Sequence, residues 1–297
     1  MTRPHPYTNM PKTKTLKKLA RTALSVLRRL DAYLPDPPAE PDWQHALAFR
    51  WQRTAQGGKL VALPRPHTFS LSRLAAVDAQ MARLVANTEQ FLQGKPANHV
   101  LLTGARGTGK SSLVKALLHE YAARGLRLIE TDKDALAALP DLLALLAERA
   151  EKFIVFCDDL SFEDGEDGYK ALKTALDGGL SRRADNVLVY ATSNRRHLMP
   201  EFMDENGGHT GARGEVHQRE AVEEKISLSD RFGLWLSFYP FDQEQYLQAV
   251  RLWLDDFALP FDDAVRAEAL QWARMRGSRS GRTAYQFACD WAGRLSA

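Results

Sequence analysis

The sequence predicts an α/β fold, a parallel five-stranded sheet with helices on both faces, followed by a small all-helical domain. Short apolar runs alternate with helical patterns between residues 99 and 238, which is typical of a parallel sheet buried on both sides. A glycine-rich loop connects the first of these runs to a helical pattern. After residue 240 only helical patterns remain, and they form the predicted second domain.

The predicted strands are five apolar runs, at residues 99–103, 126–130, 153–157, 186–192 and 234–238. Helical patterns cover residues 70–93, 110–124, 136–150 and 168–180, with a short helix or turn at 226–232. We interpret the aromatic and basic residues 43–51 as a short helical segment. Residues 203–222 are rich in glycine and charge, which predicts a mobile surface insertion.

The predicted helical domain carries its own start and stop signals. Asp242 followed by Gln245 fits a capping box, which opens a helix that extends to residue 257. Asp262 caps a second helix ending near Gly277, and residues 281–295 form a third. The predicted organisation is therefore a basic arm with a proline-rich linker at 1–40, an α/β domain at 41–240, and a helical domain at 241–297, which we call the lid domain.

Basic charge is concentrated in the first 34 residues, which carry eight Lys or Arg and one Asp, whereas the remainder carries 32 basic and 36 acidic residues. The body is therefore not predicted to be a generally basic nucleic-acid binder. Apolar residues recur in the arm at spacings of three and four and predict an amphipathic helix: Leu16, Leu19, Ala23, Leu27, Leu30 and Leu34. Its partner could be an anionic membrane, a nucleic-acid backbone, a protein groove or the rest of the chain, and transit peptides share this composition.

Cysteine use and hydropathy favour a cytoplasmic protein. Cys157 and Cys289 lie far apart in apolar surroundings, so we expect reduced thiols. No apolar run approaches the roughly 18 residues of a membrane span. The N-terminus also lacks the apolar core of a secretory signal.

A phosphate-binding loop is the strongest motif. Residues 104–111, GARGTGKS, match the pattern G-x-x-x-x-G-K-S/T at every required position, between a predicted strand and a predicted helix. Glycines let the backbone N–H groups converge on phosphates, and the helix N-terminus favours the same anion. Lys110 adds a positive charge for the β- and γ-phosphates, and the hydroxyl of Ser111 can bind Mg²⁺. The predicted phosphate-binding residues are Gly104, Ala105, Arg106, Gly107, Thr108, Gly109, Lys110, Ser111 and Ser112.

Two carboxylates follow the apolar run at residues 153–157. The end of a strand beside the phosphate loop is a suitable position for a carboxylate that binds Mg²⁺ together with the phosphates. We assign this role to Asp158, which would contact the ion through a water molecule. Asp159 is then placed to orient or deprotonate the attacking water. An apolar run that ends in two acids is a weak signal alone, since acids often end strands.

Three further side chains are candidates for catalysis. Asn194 follows the predicted strand at 186–192 and can contact the γ-phosphate or the water, or else form an Asx turn. Arg231 precedes the last strand, and its planar guanidinium suits the charge of a phosphoryl transition state, although a surface ion pair is the alternative. Arg282 opens the last helix and can reach the nucleotide from the lid, with Arg276 and Arg279 as nearby alternatives.

With these residues in this order, the chain resembles AAA+-type P-loop ATPases. It is similar in particular to a bacterial ATP-binding family catalogued as domain of unknown function 815, through four segments: residues 104–116 (GARGTGKSSLVKA), 156–162 (FCDDLSF), 190–198 (YATSNRRHL) and 224–236 (EKISLSDRFGLWL). The resemblance covers about residues 43–297. It implies ATP and Mg²⁺ as ligands, residues 104–111 as Walker A, and Asp158 and Asp159 as Walker B. It also implies Asn194 as sensor 1, Arg282 as sensor 2, and Arg231 as an arginine finger.

The finger of such proteins usually acts on the nucleotide of a neighbouring subunit, so the resemblance also implies a homo-oligomer with shared active sites. This chain departs from the pattern at Asp159, because the usual residue is the longer Glu, and Glu163 or Asp164 could assist. Residues 131–134 are polar and lack an unfoldase pore loop, so protein threading is not expected. Two functions remain open: an ATPase that remodels an assembly, and an ATP-gated loader or adaptor with little turnover that acts on a nucleic-acid or protein complex.

Overall fold

The chain separates into two compact units, residues 1–40 and residues 41–297. The computed structural model describes residues 13–31, 41–54, 57–161, 167–177, 185–194 and 228–295. In the first unit it describes one helix, α1 (Thr13–Asp31). The predicted insertion at 203–222, and the candidates Glu163 and Asp164, lie outside the described residues.

The second unit is built on a seven-stranded sheet. The strands are β1 (Ala48–Thr54), β2 (Gly57–Ala62), β3 (Val100–Gly104), β4 (Leu126–Thr131), β5 (Lys152–Cys157), β6 (Val187–Ser193) and β7 (Leu234–Phe238). Their order across the sheet is β2-β1-β4-β5-β6-β3-β7. The β1–β2 pair is antiparallel, and every other pair is parallel. The five predicted strands correspond to β3–β7, so the predicted parallel core is confirmed.

The interpretation of residues 43–51 as helical was wrong, because β1 begins at Ala48 within that segment. This strand pairs in parallel with β4 through Ala48 and Leu128, and antiparallel with β2. Trp51 is 3% exposed and lies over Gly58, where an added Cβ would come 1.8 Å from the indole ring. The pairing with β4 joins residues that are distant in the sequence, so tertiary pairing overrides the local pattern.

Helices cover both faces of the sheet: α2 (Asp78–Leu92), α3 (Lys110–Tyr121), α4 (Leu139–Ala147) and α5 (Asp167–Asp177). Alternate residues of β5 point to opposite faces. Val155 packs in one buried cluster with side chains of α4 and α5, whereas Phe156 packs in a second cluster with side chains of α2 and α3. The predicted two-sided arrangement is therefore confirmed.

Two predicted helices begin differently from the expectation. The 70–93 pattern contains a 3₁₀ turn at Leu71–Arg73 before α2. The 136–150 pattern is a 3₁₀ segment at Lys133–Ala138 followed by α4, with Pro140 in its first turn. Proline is tolerated there because the first helical N–H groups have no partner within the helix.

The helical tail consists of α6 (Gln243–Asp256), α7 (Asp263–Arg276) and α8 (Gly281–Leu295). The capping box is confirmed: Gln245 N–H donates to Asp242 Oδ1 at 2.8 Å, and Asp242 N–H donates to Gln245 Oε1 at 3.0 Å. The three helices share a buried cluster around Tyr246, whose hydroxyl donates to the carbonyl of Ala269 at 3.0 Å. Among the helices that the structure describes, none has a stretch long and apolar enough to cross a membrane.

Candidate nucleotide-binding site

The phosphate loop connects β3 to α3 through glycines in left-handed conformations. Gly104 has φ +129°, and a Cβ there would lie 1.9 Å from the carbonyl oxygen of Phe238 on β7. Gly107 has φ +75°, and a Cβ there would lie 2.8 Å from Ser280 Oγ. Only glycine permits both this backbone curl and these close approaches. The α3 hydrogen-bond ladder then begins where Leu113 N–H donates to Gly109 O at 2.8 Å.

Lys110 is buried beneath this loop, at 5% exposure. Its Nζ donates to Gly104 O at 2.7 Å, to Ala105 O at 2.8 Å and to Asn194 Oδ1 at 3.0 Å. Burial lowers the pKa of the ammonium from 10.5 to about 8, against the opposing effect of nearby carboxylates. An ammonium has three N–H donors. An arriving phosphate must therefore replace at least one of these three acceptors.

Asp158, just after β5, is anchored by hydroxyl groups from two different elements. Ser111 Oγ and Thr192 Oγ1 each donate to Asp158 Oδ1 at 2.6 Å. Thr192 belongs to β6, the strand beside β5. Sequence reasoning missed Thr192, because only the sheet pairing brings it to this carboxylate.

The oxygen atoms of Ser111 and Asp158 fit a Mg²⁺ ion. Mg²⁺ prefers hard oxygen ligands and keeps several waters, so one hydroxyl and one carboxylate beside substrate phosphates are a suitable set. Within the described part of the chain, no group of three or more His, Cys, Asp or Glu could by itself enclose a metal ion. Ser111 and Asp158 are suited to an ion that also binds phosphate oxygens.

Asp159 occupies the left-handed region with φ +51°, which is uncommon for a residue with a side chain. Its N–H donates to Thr192 Oγ1 at 2.9 Å, and its carboxylate accepts from Asn194 Nδ2. Asn194 therefore bridges Lys110 on one side and Asp159 on the other. The sequence predicted each of these three residues separately, whereas their joint network depends on β3, β5 and β6 ending at one edge of the sheet.

Arg282 lies against the phosphate loop. Its N–H donates to Gly107 O at 3.3 Å, and its side chain lines the same cavity as Lys110. Arg276 and Arg279, the alternatives to Arg282, make other contacts. The Arg276 guanidinium carbon lies 4.9 Å from the centroid of the Trp272 ring, and the Arg279 carbonyl accepts a hydrogen bond from Phe241 N–H.

Arg231 is not brought to this cavity within the same chain. Its Nε donates to Asp177 Oδ1 on α5 at 2.6 Å, and Arg231 is absent from the described residues that line the cavity. The ion-pair alternative for this residue is therefore present in the structure.

The cavity above the loop has a volume of about 750 Å³ and extends to residues that the sequence did not indicate. His67 and Phe69 line it from the segment before α2, and Trp253 and Tyr285 line it from α6 and α8. The two rings from the helical tail meet edge to face, with centroids 4.7 Å apart at 62°. Aromatic residues in the tail were the available signal, but their spacing alone did not separate a ligand wall from core packing.

Comparison with known proteins identifies the family of this chain. Residues 44–295 match the model of a family described as "Protein of unknown function (DUF815)". The chain belongs to this family. No match was found among curated proteins.

Solved structures of RuvB share the fold of this DUF815 chain. The RuvB Holliday junction branch migration motor of Thermotoga maritima has a TM-score of 0.50 and 16% identity, and a threonine-to-valine variant of it has a TM-score of 0.52 at the same identity. Each alignment covers 77% of this chain and 66% of RuvB. Aeropyrum pernix ORC1 in complex with DNA has a TM-score of 0.49 and 19% identity. That alignment covers 71% of this chain and 58% of the ORC1 chain. The RuvB likeness establishes the AAA+ P-loop fold for the DUF815 chain. The chain spans slightly less than two thirds of the length of RuvB.

Proposed function

We propose that this chain is a Mg²⁺-dependent ATP-binding protein and ATPase of the AAA+ type, which couples hydrolysis to the assembly or remodelling of a partner. One observation carries this proposal: Lys110, Ser111, Asp158, Asp159 and Asn194 form one connected cluster beside a cavity of about 750 Å³. These are the groups that phosphoryl transfer requires, since its catalysis depends on positioning and charge stabilisation.

The phosphates belong on the loop and Lys110. Backbone N–H groups of the loop and of the α3 N-terminus face the anion, and the ammonium leaves its carbonyl acceptors for the β- and γ-phosphates. Ser111 and Asp158 would hold Mg²⁺, and a bound ion would neutralise charge on the phosphate oxygens. Arg106 and Arg282 add positive charge from two sides of the cavity.

Asp159 is the proposed general base. Its backbone is fixed by Thr192 and its carboxylate by Asn194, so the side chain is held where a water attacking the γ-phosphate must lie. Asn194 then orients both this base and the Lys110 ammonium. Because aspartate is one methylene shorter than glutamate, it reaches less far toward that water, and turnover is expected to be slow.

The adenine belongs against the aromatic wall. This aromatic wall consists of Trp253 and Tyr285, whose rings are in contact, and of Phe69, which also lines the cavity. A purine has both faces available for such contacts. The wall therefore supports a nucleoside triphosphate as the ligand.

A shared active site accounts for Arg231. Since this residue pairs with Asp177 away from its own cavity, it would act on the nucleotide of a second copy of the chain. The proposal therefore includes a homo-oligomer in which one subunit supplies Arg231. A cytoplasmic location is part of the same proposal.

The test is ATP binding and turnover by three single variants. Lys110→Ala should abolish ATP binding, and Asp159→Asn should bind ATP but retain it without hydrolysis. Lys115→Ala is the matched control, because this lysine is on the same helix and is 31% exposed, with Glu130 at 4.0 Å. ATP binding by Lys110→Ala at wild-type affinity would refute the proposal.

The second candidate is an ATP-gated loader or adaptor that binds ATP with negligible turnover, acting on a nucleic-acid or protein complex. The short Asp159 side chain and the paired state of Arg231 favour it. Turnover near 1 s⁻¹ or faster without any partner, which is the lower range of typical enzymes, would exclude it. Tight binding with turnover far below that rate would support it.

A further inference from the structure

Helix α1 exposes large apolar side chains that nothing in its own unit covers among the described residues. Leu19 is 72% exposed, Leu24 51% and Val26 49%. The basic residues Lys17 and Arg21 are exposed in the same stretch. A helix that presents both kinds of surface must find a partner that accepts both.

The two kinds of residue are strictly separated around the helix. At 100° per residue, the apolar positions of Thr13–Asp31 fall within an arc of about 160°: 16, 19, 20, 23, 24, 26, 27 and 30. All six Lys and Arg positions, 14, 17, 18, 21, 28 and 29, fall within about 120° of the remaining surface. The basic arc has no acidic residue, because Asp31, the last residue of the helix, falls within the apolar arc.

Charge complementarity decides between the partners. A nucleic-acid backbone would neutralise the basic arc but leave the leucines in water. An ordinary apolar groove would cover the leucines but would offer the six cations no complementary anionic surface. An anionic lipid surface satisfies both, because apolar residues enter the acyl boundary while Lys and Arg meet the headgroups.

We propose that α1 binds anionic membrane surfaces, lying in the plane of the lipid interface. Its six cations exclude a path across the bilayer core, where each would be costly. A helix of 19 residues is about 28 Å long, so it can lie flat with its apolar arc inserted. This attachment holds whether or not the second unit hydrolyses ATP.

The experiment is flotation of the full chain with vesicles of phosphatidylcholine, with and without added phosphatidylglycerol. We expect binding to the anionic vesicles only, weakening as salt rises because exposed charges are screened. Lys110→Ala should bind vesicles as wild type does. Vesicle binding by this variant therefore tests the membrane proposal independently of the ATPase proposal.

Two sets of variants test the two arcs. Leu19→Gln with Leu24→Gln should lower the vesicle affinity about tenfold or more, as expected for lost burial of leucine. The control is Leu145→Gln with Met275→Gln, which makes the same change at apolar residues of the second unit that are 45% and 70% exposed. Lys17→Gln, Lys18→Gln and Arg21→Gln together should lower the affinity roughly a hundredfold, at about fivefold per charge. Their control is the triple change at the exposed Arg53, Lys59 and Lys95.

Several results would overturn the proposal. Equal binding to both vesicle types would remove the role of charge, and equal losses in the control variants would place the contact on the second unit. If the wild-type chain binds vesicles no more strongly than a chain lacking residues 1–40, α1 is not the membrane-binding element. Duplex DNA bound tightly through residues 1–40, without vesicle binding, would assign the helix to nucleic acid instead.

Discussion

Arg231 donates its Nε–H to Asp177 Oδ1 at 2.6 Å, which holds the guanidinium against α5 and away from the cavity above the phosphate loop. Both side chains are partly exposed, at 22% and 46%, so the pair itself contributes only about 0–1 kcal/mol to stability.

Arg231→Ala should leave the affinity for ATP within about twofold of wild type, because the residue does not line the cavity in its own chain. The ATP turnover rate should fall on the order of a thousandfold if Arg231 acts as the proposed arginine finger. Mass and turnover measured together, with and without nucleotide, check both statements. The control is Arg294→Ala, since Arg294 pairs with Asp290 at the same 2.6 Å. Unchanged turnover in Arg231→Ala would exclude the shared site.

Nucleotide affinity should fall as the pH rises above 8. Burial lowers the pKa of Lys110 to about 8, helped by Arg106 and Arg282 and opposed by Asp158 and Asp159. The ammonium that phosphate requires is then lost above pH 8, so affinity should decrease about tenfold per pH unit. Titration calorimetry with ATP and a chelator tests this without metal.

Lys110→Arg is the control for that pH dependence, because a guanidinium stays protonated over this range. The affinity of this variant for ATP should be lower than that of the wild type, but nearly constant from pH 7.5 to about pH 9.5. A wild-type profile as flat as that of the variant would show that the lysine is not the titrating group.

Gly104→Ala should lower the free energy of unfolding by about 3 kcal/mol or more, since the new Cβ would lie 1.9 Å from the carbonyl oxygen of Phe238 and would force β3 and β7 apart. Gly293→Ala is the matched change. It lies in α8 with nothing within 4 Å of the added Cβ, so it should stabilise by about 0.5–1 kcal/mol. Chemical denaturation measures both values, and a mild effect at Gly104 would contradict the strand contact.

Trp253→Ala should lower the affinity for ATP about tenfold, because the indole forms part of the wall assigned to the base. Inorganic tripolyphosphate has no base, so its affinity should be unchanged in the same variant. Competition binding with both ligands provides the measurement. Equal losses for ATP and tripolyphosphate would mean that Trp253 supports the fold rather than the adenine.

The features found from the sequence depend on neighbours within a few residues. The phosphate loop is one continuous segment, and its glycines specify their own backbone conformation. The Asp242–Gln245 capping box spans four residues, and each core strand is a short apolar run. Local interactions of this kind are encoded locally, so sequence patterns are sufficient to find them.

The features that were missed join distant segments. Strand β1 depends on β4, through the pair Ala48 and Leu128, and its own short pattern did not exclude a helix. Thr192 reaches Asp158 only because β5 and β6 are adjacent. The aromatic wall combines the segment before α2 with α6 and α8, and no spacing along the chain indicates that arrangement.

The sequence by itself determined the chemical groups: a loop for phosphate, two acids, an amide, and a helix with separated apolar and basic arcs. Only the tertiary structure decided which of these groups meet. It joins Lys110 to Asn194 but pairs Arg231 with Asp177 instead of with its own cavity. The physical reason is that side-chain chemistry and local conformation are properties of short segments, whereas hydrogen bonds and ion pairs across a sheet depend on strand order and packing.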